Sequence, residues 1–88
     1  MEKIIIKGTV TKKEQLKNSI YGGPRERVYI KSVTGGDLEA KTASNSSAGY
    51  MLSCSMEHLK DRVLEFECHL TRSHLLVIDR IISGYFGA

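Results

Sequence analysis

A polar stretch that ends in two glycines and a proline, residues 12–24, lies between two segments in which apolar residues recur at every second position. The apolar residues are Ile4, Ile6 and Val10 before the stretch, and Val28 and Ile30 directly after it. A period of two is the signature of a strand with one buried face. The pattern therefore predicts two strands joined by a long hairpin, and it favours a small β-barrel as the fold.

The rest of the chain predicts three more strands and a helical stretch. The expected strands are residues 3–13, 25–33, 37–43, 62–71 and 75–82, and the helical stretch, residues 46–59, falls between the third and fourth strands. Ser46 or Ser47 is the expected N-cap, followed by one bent helix or two short turns. Gly8 interrupts the apolar face of the first strand, where a bulge or a sharp bend is expected. Gly35 and Gly36 predict a tight turn.

The length of 88 residues corresponds to one domain, residues 1–88, in which residues 83–88 either form a loose tail or fold back on the barrel. An apolar fraction of 41% and a charged fraction of 26% are typical of a chain that folds. The chain opens at Met1 without a charged and then apolar leader, so we expect a cytoplasmic location. Cys54 and Cys68 are then expected to be reduced, with Cys68 in the core.

The net charge of +3 is unevenly distributed. Residues 1–41 hold nine Lys or Arg against five Asp or Glu, whereas residues 42–88 hold four against five. A local excess of positive charge favours binding of a polyanion. The alternative is a solvated hairpin whose lysines keep the chain soluble and discourage strand pairing.

Three strands, a helical stretch and two further strands, with a long first strand bent at Gly8, resemble the oligonucleotide/oligosaccharide-binding (OB) fold. The resemblance covers nearly the whole chain but is one of architecture, and another small β-barrel or an α+β sheet would give similar spacing. It implies a mostly-β, five-stranded barrel with one helical segment between the third and fourth strands. It also implies a binding face on the second and third strands, flanked by the loops that join strands one to two and four to five.

This implied face coincides with the basic half of the chain. Arg27, Tyr29 and Lys31 share the side of the second strand opposite Val28 and Ile30, so an aromatic ring lies between two cations. Such a surface holds single-stranded DNA or RNA by phosphate neutralisation and base stacking, with little sequence preference. The expected phosphate contacts are Lys12, Lys13, Lys17, Arg25, Arg27, Lys31 and Arg72, and the expected stacking rings are Tyr29 and Tyr21.

Other functions remain open at this point. A protein-interaction module, such as a phage or mobile-element accessory or inhibitor protein, would dock through a strand edge or a loop, and a homo-oligomer would use the same surfaces. A small-ligand pocket at residues 43–49 would have Tyr50 as its wall. Catalysis is not expected, because no nucleophile is paired with a base in the sequence. We expect no metal site, since His58, His69, His74 and the cysteines lack the spacing of zinc ligands. We also expect no cofactor and no membrane partner.

Overall fold

A computed structural model describes residues 3–18, 20 and 22–85. The strands are β1 (Ile4–Gln15), β2 (Glu26–Ser32), β3 (Asp37–Thr42), β4 (Leu64–Leu70) and β5 (Leu76–Ser83), and the helices are α1 (Ser47–Leu52) and α2 (Met56–Leu59). The five strands form one closed barrel in the order β1-β2-β3-β5-β4. All neighbours are antiparallel except β3 and β5, which are parallel. The mostly-β, five-stranded fold class predicted from the sequence is thus confirmed.

Gly8 is the point at which β1 passes from one neighbour to the other. Its first residues pair with β4 as far as Gly8–Leu64, and from Gly8–Ser32 onward it pairs with β2. A side chain at Gly8 would collide with the carbonyl oxygen of Lys31 and lie 2.7 Å from Ile30 Cγ2. Only a residue without Cβ allows the strands to approach this closely, which explains the glycine at this position.

The bulge in β1 lies three residues beyond Gly8. Val10 pairs with Ile30 and Lys12 with Tyr29, which leaves Thr11 as the extra residue. The Thr11 side chain bonds back across the ladder, with Oγ1 donating to the Tyr29 carbonyl at 3.2 Å. A bulge shifts the in-and-out alternation of the residues that follow it. The orientation of the two lysines after Thr11 depends on this shift.

The inward faces of the strands and the two helices meet in one core. Along β2 the buried side chains alternate with more exposed ones, as the sequence pattern predicts, whereas in β4 Glu67 is buried as well and Leu70 is 44% exposed. The core consists of Val10, Val28, Ile30, Ala40, Ala48, Leu52, Leu59, Leu64, Phe66, Cys68 and Ile78. Burial raises the pKa of the Cys68 thiol to about 12, so the sulfur behaves as a small apolar group. Cys54 and Cys68 are both free thiols.

The helical stretch consists of two short helices rather than one. Ser46 caps α1, because its Oγ accepts a hydrogen bond from Gly49 N at 3.2 Å and donates to Ala43 O at 2.8 Å. Ser55 precedes α2 and makes no side-chain capping hydrogen bond. Gly49 packs against the Pro24 carbonyl so closely that a Cβ would collide with it. Helix α1 is thereby held against the end of the β1–β2 connection and against β5.

Tyr85 folds back onto the helices. Its hydroxyl donates a 2.7 Å hydrogen bond to Met51 O, and its ring meets the His58 ring edge-on at a centroid distance of 4.7 Å. Arg62 donates to the Tyr85 carbonyl at 3.0 Å. These contacts fasten the end of the described chain to the helical side of the barrel. Among the residues described, no helix has the length and apolar character needed to cross a membrane.

Candidate functional site

The outer face of β2 carries the three residues singled out in the sequence. Val28 and Ile30 are completely buried, whereas Arg27 and Tyr29 are half-buried and Lys31 is exposed on the opposite side of the strand. The alternation of β2 therefore has the predicted direction. One ring stands between two cations on a surface open to solvent.

Tyr29 is held in position from β1. Its hydroxyl donates a 3.1 Å hydrogen bond to Glu14 Oε1, and Lys12 Nζ lies 5.4 Å from the centre of its ring. The hydrogen bond to Glu14 is the main cause that raises the pKa of the Tyr29 hydroxyl above its usual 10.0, with burial and the charges of Glu14 and Glu39 acting in the same direction. The ring is thus neutral at physiological pH and restrained in orientation, which suits a stacking surface.

The register between β2 and β3 brings three further charges onto this face. Tyr29 pairs with Glu39, Lys31 with Asp37 and Arg27 with Lys41. Directly opposite residues of an antiparallel pair point to the same side of the sheet. The face is therefore basic but interrupted by carboxylates. The outward-facing charges are Lys12, Arg27, Lys31 and Lys41 against Glu14, Asp37 and Glu39.

Lys41 and Arg27 form a pair of adjacent cations beside the β4–β5 connection. Arg27 Nε lies 3.8 Å from Glu39 Oε2, whereas the salt bridges of the described chain leave Lys41 and Lys31 without a carboxylate partner. Leu75 is 48% exposed and helps to line a small depression next to this pair. The depression is lined by Arg27, Glu39, Ala40, Lys41, Leu75 and Leu76.

Lys41 and Leu75 were not among the residues predicted for the site. Leu38 and Ala40 point inward on β3, so the period of two predicts that Lys41 points outward. Leu75 lies near β3 because β3 pairs in parallel with β5. No local pattern in the sequence predicts this pairing.

Lys13 has a different environment from Lys12. Its side chain is only 16% exposed, and Nζ lies 2.9 Å from Oε1 of Glu26, which is 2% exposed. The bulge at Thr11 explains this, because it leaves Lys12 outward and turns Lys13 toward the end of the barrel. Glu26 Oε2 is buried without a hydrogen-bond partner among the residues described, so Lys13 is the cation that faces this buried carboxyl group.

The remaining predicted residues lie in the two connections that flank the face. Lys17 is exposed in the β1–β2 connection, where Ile20 is 92% exposed. Arg25 precedes β2 and is half-buried, with its Nε buried and without a partner in the described part of the chain. Arg72 is exposed in the β4–β5 connection. Tyr21 lies outside the described residues.

The other chemistry-bearing residues are dispersed. Tyr50 is 64% exposed on α1, and Ser46 of the serine-rich segment is engaged in capping. His69 Nδ1 lies 2.7 Å from Asp79 Oδ2, and this pair joins β4 to β5 rather than belonging to β2 or β3. In the part of the chain that the structure describes, no three potential ligands from His, Cys, Asp and Glu are gathered as a metal site would require.

Comparison of the chain with family models, with curated proteins and with solved structures finds no match in any of the three.

Proposed function

We propose that the barrel is an OB-fold barrel and that the outer face of β2 and β3 binds single-stranded DNA or RNA. The strand order, the parallel contact of β3 with β5 and the helices between β3 and β4 support the fold assignment. In that fold the face of the second and third strands and the two flanking connections form the ligand surface. Two reduced cysteines are consistent with a cytoplasmic location, which is part of the same proposal.

One observation carries the functional proposal: the half-buried ring of Tyr29 between Arg27 and Lys31, with Lys41 beside Arg27 on the neighbouring strand. Bases stack on an exposed ring irrespective of their identity, and the cations neutralise phosphates on either side of it. Lys12 lies over the ring, and its side chain is 68% exposed, so an incoming base can displace it into solvent.

The three carboxylates on the face limit the affinity. Glu14, Asp37 and Glu39 repel phosphates, so a strand must pass close to Arg27, Lys31 and Lys41 rather than spread over the whole surface. With one stacking ring and few unpaired cations, we expect micromolar binding that is sensitive to salt and largely indifferent to sequence on this face.

Nuclear magnetic resonance of the isotope-labelled protein tests the location of the site. A short mixed-sequence single strand should shift the amide signals of β2, of β3 and of residues 71–75. It should leave unchanged those of the Lys3–Glu67–Arg80 cluster, in which Glu67 of β4 lies 3.4 Å from Lys3 Nζ and 2.8 Å from Arg80 Nε. Shifts confined to the Lys3–Glu67–Arg80 side, or no shifts at low salt, would contradict the proposal.

A second candidate function is docking of an extended protein segment along β3. The observation that favours it is the edge of β3, where only Lys41 and Thr42 pair with β5, so residues 37–40 have a strand neighbour on one side only within the described chain. An added strand would place an apolar side chain against Leu75 and an acidic one near Arg27 and Lys41. This alternative would be supported by a peptide with acidic and apolar residues that shifts the same amide signals and displaces the nucleic acid.

A further inference from the structure

A groove crosses the outer side of β1, between the end of β2 and helix α2. Beyond Gly8, β1 no longer pairs with β4, and helix α2 lies beside its edge instead. Two adjoining depressions of about 340 and 520 Å³ follow this edge, and they share Thr9, Thr11 and Asp61. Volumes of this order are those of small-molecule sites. The groove meets the proposed nucleic-acid face at Lys31, which lines the second depression.

The groove differs in character from the face of β2 and β3. Met56 supplies apolar surface above the buried Val10, Thr9 and Thr11 supply hydroxyls, and Asp61 supplies a carboxylate. Its two lysines, Lys31 and Lys60, lie on opposite sides, one on β2 and one after α2. Glu57, Ser32 and Val33 complete the lining.

Two local distortions of the chain contribute to this groove. The bulge in β1 gives the barrel surface an additional outward residue, Thr11, between Val10 and Lys12. Asp61 follows α2 in a left-handed backbone conformation, with φ of 61°. Such conformations are uncommon for non-glycine residues, and bulges occur frequently next to binding sites.

We propose that this groove receives one base of the bound strand and prefers guanine, an inference that rests on the proposed nucleic-acid function. A carboxylate only accepts hydrogen bonds, and the Watson–Crick edge of guanine offers two adjacent donors, N1–H and the N2 amino group. Thymine and adenine lack that pair of donors. The Met56 thioether suits the flat face of a base, and the hydroxyls of Thr9 and Thr11 can donate or accept at its edge.

The two lysines complete the site. Lys31 and Lys60 lie where the phosphates on either side of an inserted base would pass, and neither has a carboxylate partner among the salt bridges of the described residues. The strand would then stack one base on Tyr29, pass Lys31 and place a neighbouring base in the groove. Sequence preference would come from the groove alone, because stacking on Tyr29 does not distinguish bases.

The test compares three labelled strands that are thymine throughout except for one central guanine, inosine or adenine. The guanine strand should bind at least about fivefold more tightly than the adenine strand, in line with the discrimination of a bidentate base contact. Inosine, which keeps N1–H but lacks the amino group, should bind with intermediate affinity. Asp61→Asn should remove the preference, since asparagine tolerates the left-handed conformation but loses the second acceptor oxygen.

Asp37→Asn is the matched control, because it removes an equal charge from the face near Lys31 but outside the groove. It should retain the guanine preference. Equal binding of all three strands by the unmodified protein, or a preference that survives Asp61→Asn, would overturn the groove proposal and leave the face of β2 and β3 as the binding site. Absence of binding by every strand would overturn both proposals.

Discussion

The Tyr29 hydroxyl on β2 donates a 3.1 Å hydrogen bond to Glu14 Oε1 on β1. Lys12 Nζ lies 3.8 Å from the same carboxylate oxygen and 5.4 Å from the centre of the Tyr29 ring. Glu14 therefore holds the hydroxyl end of the ring, and the exposed side chain of Lys12 covers one face of it. This arrangement restrains the ring before a ligand arrives, so little side-chain entropy is lost on binding.

Replacement of Tyr29 tests the stacking role. Tyr29→Ala should weaken single-strand binding by roughly 1 to 3 kcal/mol, because one base loses its platform, while the fold persists since the side chain lies outside the core. Tyr29→Phe keeps the ring and should retain most of the affinity. Fluorescence anisotropy gives the affinities and circular dichroism checks the fold. An alanine variant that folds and binds like the unmodified protein would exclude stacking on Tyr29.

Replacement of the adjacent cations tests the electrostatic role. Arg27→Gln and Lys41→Gln should each flatten the plot of log K against log salt by about 0.7, the value for one phosphate contact on a single strand. Lys3→Gln is the control, since Lys3 Nζ lies 3.4 Å from Glu67 on the β4 side. It should leave the slope unchanged. Equal changes in all three variants would indicate a response to net charge rather than contacts on this face.

The ion pair of Lys13 and Glu26 is expected to stabilise the fold. Lys13→Met should lower the free energy of unfolding by about 3 to 5 kcal/mol, because it leaves a buried carboxylate without its partner. The double variant Lys13→Met, Glu26→Met removes both charges and should recover most of the loss. Denaturant titration measures these differences. A single variant as stable as the unmodified protein would show that the pair does not stabilise the fold.

Glu67 should make stability depend on pH in the acid range. The Arg80 guanidinium, 2.8 Å away, is the main cause that holds the pKa of Glu67 below its usual 4.5, with Lys3 acting in the same direction against the effect of burial. Because the pKa is lowered in the folded state, the carboxylate contributes fully to the free energy of unfolding above pH about 4.5. This contribution is lost as the pH falls through the folded-state pKa. Glu67→Gln should therefore show a flatter decline in melting temperature on acidification. An identical decline in both proteins would assign the acid sensitivity to other carboxylates.

The faces of β2 could be predicted because the strand has one buried side and its period of two is unbroken. Val28 and Ile30 point inward and Tyr29 outward, as the pattern requires. In β4 the pattern agrees for Phe66 and Cys68 but not for Glu67, which is buried, or Leu70, which is 44% exposed. The sequence also located the cap of α1. These features could be predicted because the interactions that determine them are between residues close together in the chain, or because the residue type, such as a serine at a helix start, has one dominant structural role.

The composition of the site could not be predicted to the same extent, because it depends on register. Glu39 lies opposite Tyr29 because of the register set by the turn at Gly35 and Gly36, and the residues alone do not specify which turn type forms there, so the face looked more basic in the sequence than it is in the barrel. Lys12 and Lys13 are adjacent and alike in the sequence, and only the bulge at Thr11 separates an exposed cation from the buried partner of Glu26. The groove beside α2 likewise arises from elements far apart in the chain.

The most direct test of the nucleic-acid proposal is fluorescence anisotropy of a labelled mixed-sequence single strand of about 12 nucleotides, within the usual site size of one OB barrel. The strand is titrated with the unmodified protein at low salt and then at increasing salt. We predict micromolar binding whose log K falls by about 2 per tenfold increase in salt, as expected for three phosphate contacts at Arg27, Lys31 and Lys41. No change in anisotropy at low salt, or binding that does not respond to salt, would contradict it.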